Sequence, residues 1–129
     1  MNADERRSEL AKITRRIIGC AYRVSNALGS GFLEKAYENA LAHELQKDGL
    51  SARQQHPIQV RYDGVLVGDF VADFLVENAV LVELKAVQAI DGVHMAQCMN
   101  YLRATGLRVC LLIYFGKPRL EIKRVVHKY

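Results

Sequence analysis

Asp73, Glu83 and Lys85 are the residues of this chain whose types and spacing are best suited to chemistry. They lie in two apolar runs, 68–76 and 79–86, that read as neighbouring β-strands. Charged side chains in such strands are costly unless they pair or bind something. Two converging carboxylates can hold a hard cation such as Mg²⁺, and a lysine beside it can position an attacking water. The pattern therefore indicates metal-assisted hydrolysis, with a phosphodiester as the favoured substrate.

The length of the loop between these two strands decides whether the carboxylates meet. If residues 77–79 form a three-residue hairpin loop, Asp73 lies directly across from Glu83, with Cβ atoms about 5 Å apart. Glu83 and Lys85 then share one face of the strand. A two-residue loop would instead place Asp73 opposite Val82 and break the site. The simpler alternative is that the three charges form ordinary salt bridges on a solvent-facing sheet.

Length and composition indicate the size of the domain, its location and the state of its cysteines. The 129 residues fit a single domain, residues 1–129, that is large enough for a core. No apolar run is long enough to cross a membrane and the N-terminus does not resemble a signal peptide, so we expect a cytoplasmic protein without membrane contact. The cysteines are odd in number and form no CxxC pair, which favours reduced packing thiols: Cys20, Cys98 and Cys110.

The net charge of +4 is modest, but the basic residues crowd the two ends of the chain, 6–16 and 117–128. Basic ends around an acidic centre would suit a polyanion that must approach a metal site. Taken alone, a solvated charged surface is the simpler interpretation.

Hydrophobic periodicity predicts the element order ααβββαββ. The predicted helices span 4–28, 33–48 and 91–105, and the predicted strands span 56–62, 68–76, 79–86, 107–115 and 120–126. The run 107–115 is continuously apolar, as expected of a strand buried on both faces. The fold class is therefore α/β in the α+β sense, a mixed central sheet flanked by helices.

The third predicted helix carries a second group of polar residues. Gln97 and Tyr101 are four residues apart and share one helical face, with His94 on the turn before. Their amide and hydroxyl groups could orient a phosphate, a water or the lysine. The alternative is a core tyrosine beside a surface glutamine.

These features together resemble a known family. The αβββαβ order and three motifs are similar to the PD-(D/E)XK nuclease superfamily, in the branch whose exonucleases carry a QxxxY helix: Asp73, Glu83-x-Lys85 and Gln97-x-x-x-Tyr101. Segment 31–37, Gly-Phe-Leu-Glu-Lys-Ala-Tyr, resembles the GxxExxY motif of a group of small bacterial proteins in that superfamily. The resemblance covers nearly the whole chain and implies a restriction-endonuclease-like fold.

The resemblance implies a metal site. Asp73 and Glu83 would hold Mg²⁺, for which Mn²⁺ could substitute, with the Leu84 backbone carbonyl as a further ligand. Glu34, from the second helix, would touch the metal directly or through water.

It also implies roles for the neighbouring residues. Lys85 would orient or help to activate the water, and Gln97 and Tyr101 would support the substrate phosphate or the lysine. Tyr37 would pack or hydrogen-bond beside the site, or serve as a plain core tyrosine. Two positions depart from the family pattern: Ser25 replaces a frequent histidine, and Val71 replaces a frequent arginine.

Three functions follow from these residues. The first is a metal-dependent nuclease acting on nucleic acid, DNA rather than RNA, where a homodimer could present two sites to one duplex. The second is a catalytically silent nuclease-fold module that binds nucleic acid or protein. The third is a metal-dependent phosphoesterase acting on a nucleotide or other small molecule. If Glu34, Asp73 and Glu83 share one cavity, their repulsion should raise at least one pKa.

Overall fold

Three helices and five strands form the described part of the chain, residues 1–87 and 92–128 of a computed structural model. The elements are α1 (Ala3–Leu28), α2 (Glu34–Lys47), β1 (Ala52–Tyr62), β2 (Val65–Val76), β3 (Val80–Lys85), α3 (Gly92–Thr105), β4 (Val109–Tyr114) and β5 (Glu121–Val126). The predicted ααβββαββ order and α+β class are confirmed. The predicted start of the third helix at Asp91 lies outside the described residues.

The strands form one mixed sheet in the order β1-β2-β3-β4-β5. Only β3 and β4 pair in parallel, and α3 connects them. β2 begins at Val65, earlier than predicted, because Asp63 and Gly64, with φ of 52° and 77°, make a tight turn that lets the pairing continue outward. β1 is extended at its other end, where Ala52 pairs with Val76. The outer half of this hairpin is largely exposed, so it lacked the apolar alternation from which strands are predicted.

Each face of the sheet packs against its own helical layer. On one face, α1 and α2 cover a core that includes Phe74, Val82 and Leu84. On the other face, α3 covers a core that includes Ala72 and Leu81. β4 is buried on both faces, as its continuous apolar run predicted. The three cysteines are unpaired and buried, again as predicted.

The β1–β2 hairpin changes faces at Asp73. Side chains two apart on a strand normally share a face, yet Ala72 belongs to the α3 core and Phe74 to the α1–α2 core. Gln55, which lies opposite in register between the pairs Gln54–Phe74 and His56–Ala72, has a φ of 55°. This left-handed conformation is uncommon for glutamine, and it marks the position at which the hairpin twists. Asp73 is therefore within reach of both helical layers.

Ion pairs join α1 to α2 and occupy part of the N-terminal basic cluster. Arg16 pairs with Asp48 at 2.9 Å, and Arg23 pairs with Glu44 at 3.0 Å. Arg16 also lies with Lys12 beside Glu77, at the β2–β3 hairpin loop. That loop precedes β3, whereas Lys85 ends it, so this cluster lies at the opposite end of the strand from the predicted site. The idea that it guides a polyanion to the site is not supported. None of the described helices is long and apolar enough to span a membrane.

The ends of β3 and β4 are held together by a close backbone contact. The Phe115 N–H donates to the Lys85 carbonyl at 2.8 Å. A Cβ on Gly116 would lie 2.1 Å from the Val87 carbonyl oxygen, so only glycine permits this approach.

Gly116→Ala should therefore destabilise the fold, by about 1–3 kcal/mol or more, because backbone atoms would have to move apart. Urea denaturation of the two proteins measures the difference. Gly19→Ala is the matched control, since its Cβ would meet only the Arg23 side chain at 3.9 Å within α1 and alanine favours helix. Equal stability of Gly116→Ala and wild type would show that this contact is not required.

Candidate active site

The β2–β3 hairpin has the register that brings Asp73 and Glu83 together. Val76 pairs with Val80 and Phe74 with Val82, so residues 77–79 form the predicted three-residue loop. Asp73 and Glu83 occupy the next opposed position, just beyond the last backbone pair. The alternative register, with Asp73 opposite Val82, is excluded.

Two hydrogen bonds cross between these strands where the backbone ladder stops. The Asp73 N–H donates to Glu83 Oε1 at 3.0 Å, and the Leu84 N–H donates to Asp73 Oδ2 at 2.7 Å. Each carboxylate thus takes the place of a missing backbone acceptor on the opposite strand. Because the N–H and C=O of one strand residue point to the same neighbour, the Leu84 carbonyl lies on the side of β3 that faces Asp73.

Glu83 is buried, with 4% of its surface exposed, and Asp73 is half-buried. Burial, and then the nearby Asp73 carboxylate, raises the pKa of Glu83 to about 8. The pKa of Asp73 is raised first by burial, with Glu38 and Glu34 adding to the effect. A raised pKa in this carboxylate cluster was predicted, but the main cause is desolvation rather than repulsion.

The alternative of ordinary surface salt bridges is wrong. Glu83 is not solvent-facing, and among the described residues Lys85 forms no ion pair with Asp73 or Glu83. Lys85 is half-buried and close enough for its charge to lower the pKa of both carboxyl groups. The lysine therefore lies beside the pair without neutralising it.

The first two turns of α2 add two carboxylates on the α1–α2 side. Glu34 is exposed at the first residue of the helix, and its charge acts on both Asp73 and Glu83. Glu38, one turn later, is buried and accepts hydrogen bonds from Gln55 at 2.8 Å and from Gln54 at 2.7 Å. The Gln55 amide also reaches Asp73 Oδ1 at 3.5 Å.

The sequence pattern did not point to Glu38 or Gln55. The four-residue spacing from Glu34 could have indicated Glu38, because residues i and i+4 share a helical face. Gln55 had no comparable signal, since its contact depends on the positive φ at that position.

Tyr37 is a core residue that fixes the loop before α2. Its hydroxyl donates to the Gly29 carbonyl at 2.7 Å and accepts from the Phe32 N–H at 3.2 Å. Its ring stacks on Phe115 with centroids 4.6 Å apart. Gly31, at a φ of 113°, supplies the predicted unusual backbone conformation. Of the two predicted roles for Tyr37, the structure favours the core tyrosine. Its contacts fix the loop that leads to Glu34, and so they help to place that residue.

The α3 layer brings two hydrogen-bonded pairs to the other side of the site. Gln97 donates to the Tyr101 hydroxyl at 2.9 Å, which confirms that they share a face. Burial raises the pKa of Tyr101, and the Glu83 charge raises it further, so the two residues are electrostatic neighbours. His94 Nδ1 lies 3.1 Å from the hydroxyl of Tyr114, which pairs with Lys85 across β3 and β4. The sequence did not indicate Tyr114 either, because the parallel register that pairs β3 with β4 could not be predicted from it.

The comparisons with known proteins agree with this architecture. The family model described as the PD-(D/E)XK nuclease superfamily matches residues 11–125. The chain belongs to the PD-(D/E)XK nuclease superfamily. A solved structure titled "Crystal structure of SSO0001" is similar to this superfamily member, with a TM-score of 0.55 and 15% identity over 74% of the chain. The chain spans 50% of that protein's length, and the likeness concerns the fold alone. A search of the curated proteins finds no match.

The donor set of this superfamily member fits Mg²⁺. Within residues 1–87 and 92–128, no three His, Cys, Asp or Glu side chains converge as a complete ligand cluster. Mg²⁺ does not need one, because it keeps several waters and takes one or two carboxylates. Asp73 and Glu83 supply two, and the Leu84 carbonyl lies on the same side. No lysine or arginine in the described part of the chain forms an ion pair with either carboxylate. A divalent ion would supply the missing positive charge.

The raised pKa of Glu83 predicts a pH-dependent stability for the metal-free protein. The folded state keeps the Glu83 proton up to about pH 8, whereas an unfolded glutamate loses it near 4.5. Stability should therefore fall as the pH rises between these values, by roughly 3 to 5 kcal/mol for this group. Glu83→Gln should flatten the profile, leaving the contributions of the other groups with shifted pKa values, such as Asp73 and His56.

Urea denaturation in EDTA from pH 5 to pH 9 measures this profile. Glu9→Gln, at an exposed position of α1, is the control and should follow wild type. If Glu83→Gln kept the full wild-type slope, the carboxyl group would not be desolvated as described.

Proposed function

We propose that the protein is a divalent-metal-dependent nuclease that hydrolyses phosphodiester bonds of nucleic acid. The observation that carries this proposal is the pair of hydrogen-bonded carboxylates, Asp73 and Glu83, at the end of two apolar strands with Lys85 beside them. Membership of a nuclease superfamily supports it and makes nucleic acid the expected substrate. DNA is the form we favour, and we place the activity in a single domain.

We also propose that the chain belongs to the GxxExxY group, within the QxxxY-containing branch. The support comes from Gly31, whose positive φ suits the motif's glycine, and from Tyr37, which holds the loop that leads to Glu34. The hydrogen bond between Gln97 and Tyr101 supports the assignment to the branch.

In the proposed site, Asp73 and Glu83 would hold Mg²⁺, or Mn²⁺ as a substitute, together with the Leu84 carbonyl. Glu34, which is exposed and whose charge acts on both carboxyl groups, would contact the ion directly or through water. When bound, the ion supplies Lewis-acid polarisation of the phosphate and favours ionisation of the attacking water.

The remaining residues act on water and substrate. Lys85, with no carboxylate partner among the described residues, is available to orient the attacking water and to stabilise charge on the phosphate oxygens. Gln97 holds the Tyr101 hydroxyl, so that this hydroxyl can donate to a phosphate oxygen or support Lys85. Glu38 and Gln55 are positioning residues, since the Gln55 amide links Glu38 to Asp73.

Lys85→Ala should reduce metal-dependent cleavage at least about 100-fold, because it removes the charge that orients water and phosphate. The measurement is cleavage of labelled single- and double-stranded DNA and RNA with Mg²⁺ or Mn²⁺. Lys12→Ala, an exposed lysine at the far end of the sheet, is the matched control and should retain wild-type rates.

Failure to cut any of these substrates by folded, metal-loaded protein would overturn the nuclease proposal and favour a catalytically silent binding module. Cleavage that persists in Lys85→Ala would instead leave a nuclease in which this lysine has no role.

Metal binding should raise the melting temperature, because an ion that binds only the folded state stabilises it by RT ln(1 + [L]/Kd). We expect a shift with Mg²⁺ or Mn²⁺ for wild type at pH 8, and none for Asp73→Asn or Glu83→Ala. Glu9→Ala serves as the control carboxylate. An equal shift in Glu83→Ala would mean that the ion binds elsewhere.

A further inference from the structure

A groove lies between the β1–β2 hairpin and α3, next to the proposed catalytic residues. Its cavity of about 830 Å³ is large enough for a substantial ligand. Gln97 and Tyr101 form part of its wall, and Tyr101 is an electrostatic neighbour of Glu83, so the groove borders the site described above. Its eleven described lining residues include Arg61 and Arg103 and no carboxylate. The groove therefore carries a positive charge beside a carboxylate pair.

We propose that this groove binds single-stranded nucleic acid and guides the strand to the Asp73–Glu83 site. Phe70 stacks on a base, and Arg61 and Arg103 contact phosphates. This inference rests on the proposed function, because it names the substrate class of the same site.

Phe70 has the exposure and support of a stacking platform. Its side chain is 45% exposed, although it is a large aromatic residue within a strand. Its ring lies 6.0 Å from that of Tyr101, at an interplanar angle of 43°. A Cβ on Gly68 would lie only 2.6 Å from the Phe70 ring, so the glycine gives the ring room to lie against the strand. A base stacked on the exposed ring would not require sequence-specific hydrogen bonds.

The two arginines are suited to bind phosphate. Among the described residues, the Arg61 guanidinium makes long hydrogen bonds, 3.3 Å to Gln59 and 3.4 Å to the Gly64 carbonyl. Neither Arg61 nor Arg103 forms an ion pair in the part of the chain that the structure describes. Guanidinium groups bind phosphate oxygens in a bidentate manner, so two of them can follow a backbone along the groove.

A single strand fits these features better than a duplex. In a duplex both faces of a base are covered by its stacked neighbours, so Phe70 could not reach one without disrupting the helix. The basic residues of α1, which could have formed a wide duplex-binding surface with the groove, lie at the other end of β3. An aromatic platform with a short basic groove is typical of single-strand binding.

Binding of fluorescein-labelled oligothymidylate, followed by anisotropy in EDTA, tests the proposal without cleavage. Oligouridylate and the duplex of oligothymidylate with oligodeoxyadenylate are measured in parallel. Either single strand should bind at least about tenfold more tightly than the duplex. Phe70→Ala and Arg103→Ala should each weaken single-strand binding at least about fivefold. Phe70→Trp should retain binding and Phe70→Leu should lose it, because stacking requires an aromatic ring.

Tyr22→Ala and Arg119→Ala are the matched controls. Tyr22 is as exposed as Phe70, at 44%, and neither control residue lines the groove. Both variants should bind within about twofold of wild type, which is well inside the effect of one stacked base. Equal binding of duplex and single strand, no binding at all, or unchanged binding by Phe70→Ala would each overturn the proposal.

These outcomes are distinct from those of the cleavage assay. Single-strand binding that depends on Phe70 and Arg103, without cleavage in Mg²⁺ or Mn²⁺, would support the groove and reject the nuclease. Metal-dependent cleavage with wild-type binding by Phe70→Ala would support the nuclease and reject the groove.

Discussion

The buried carboxylate of Glu83 is the constraint around which this structure is arranged. A backbone ladder would normally continue past Phe74 and Val82, but beyond that pair the Glu83 and Asp73 side chains accept the hydrogen bonds instead. This arrangement leaves two acidic groups at the edge of the paired region, where desolvation opposes their ionisation. The extensive cores on both faces of the sheet supply the stability that makes such a site tolerable.

The change of face at Asp73 explains how a small protein can direct two helical layers toward one pair of carboxylates. Because Gln55 adopts a left-handed conformation, the hairpin twists where Asp73 lies. α2 then approaches from one side with Glu34 and Glu38, and α3 approaches from the other with Tyr101. A hairpin with regular alternation would have presented Asp73 to one layer only.

Much of this arrangement could be predicted from the sequence, and the exceptions have physical reasons. The hairpin register followed from the three-residue loop at 77–79, and the Gln97–Tyr101 contact followed from helical spacing, because both are local. The sequence predicted the burial of Glu83 only in part, since this burial depends on the packing of α3 over the sheet. Gln55 and Tyr114 could not be found, because one depends on an unusual φ and the other on the parallel register of β3 and β4.

Because Glu83 is buried, a proton and a metal ion would compete for its carboxylate. Burial makes the Glu83 carboxyl group favour its protonated form up to about pH 8, and the nearby Lys85 charge lowers its pKa too little to reverse this. A divalent ion at the proposed site would therefore displace a proton as it binds, so its apparent affinity would rise with pH until Glu83 is ionised. The desolvation that opposes ionisation of the two carboxyl groups is also what would strengthen the attraction between the carboxylates and an ion, because the surrounding core screens charge poorly. In this fold, the cost in stability and the proposed capacity for metal binding have a single physical origin.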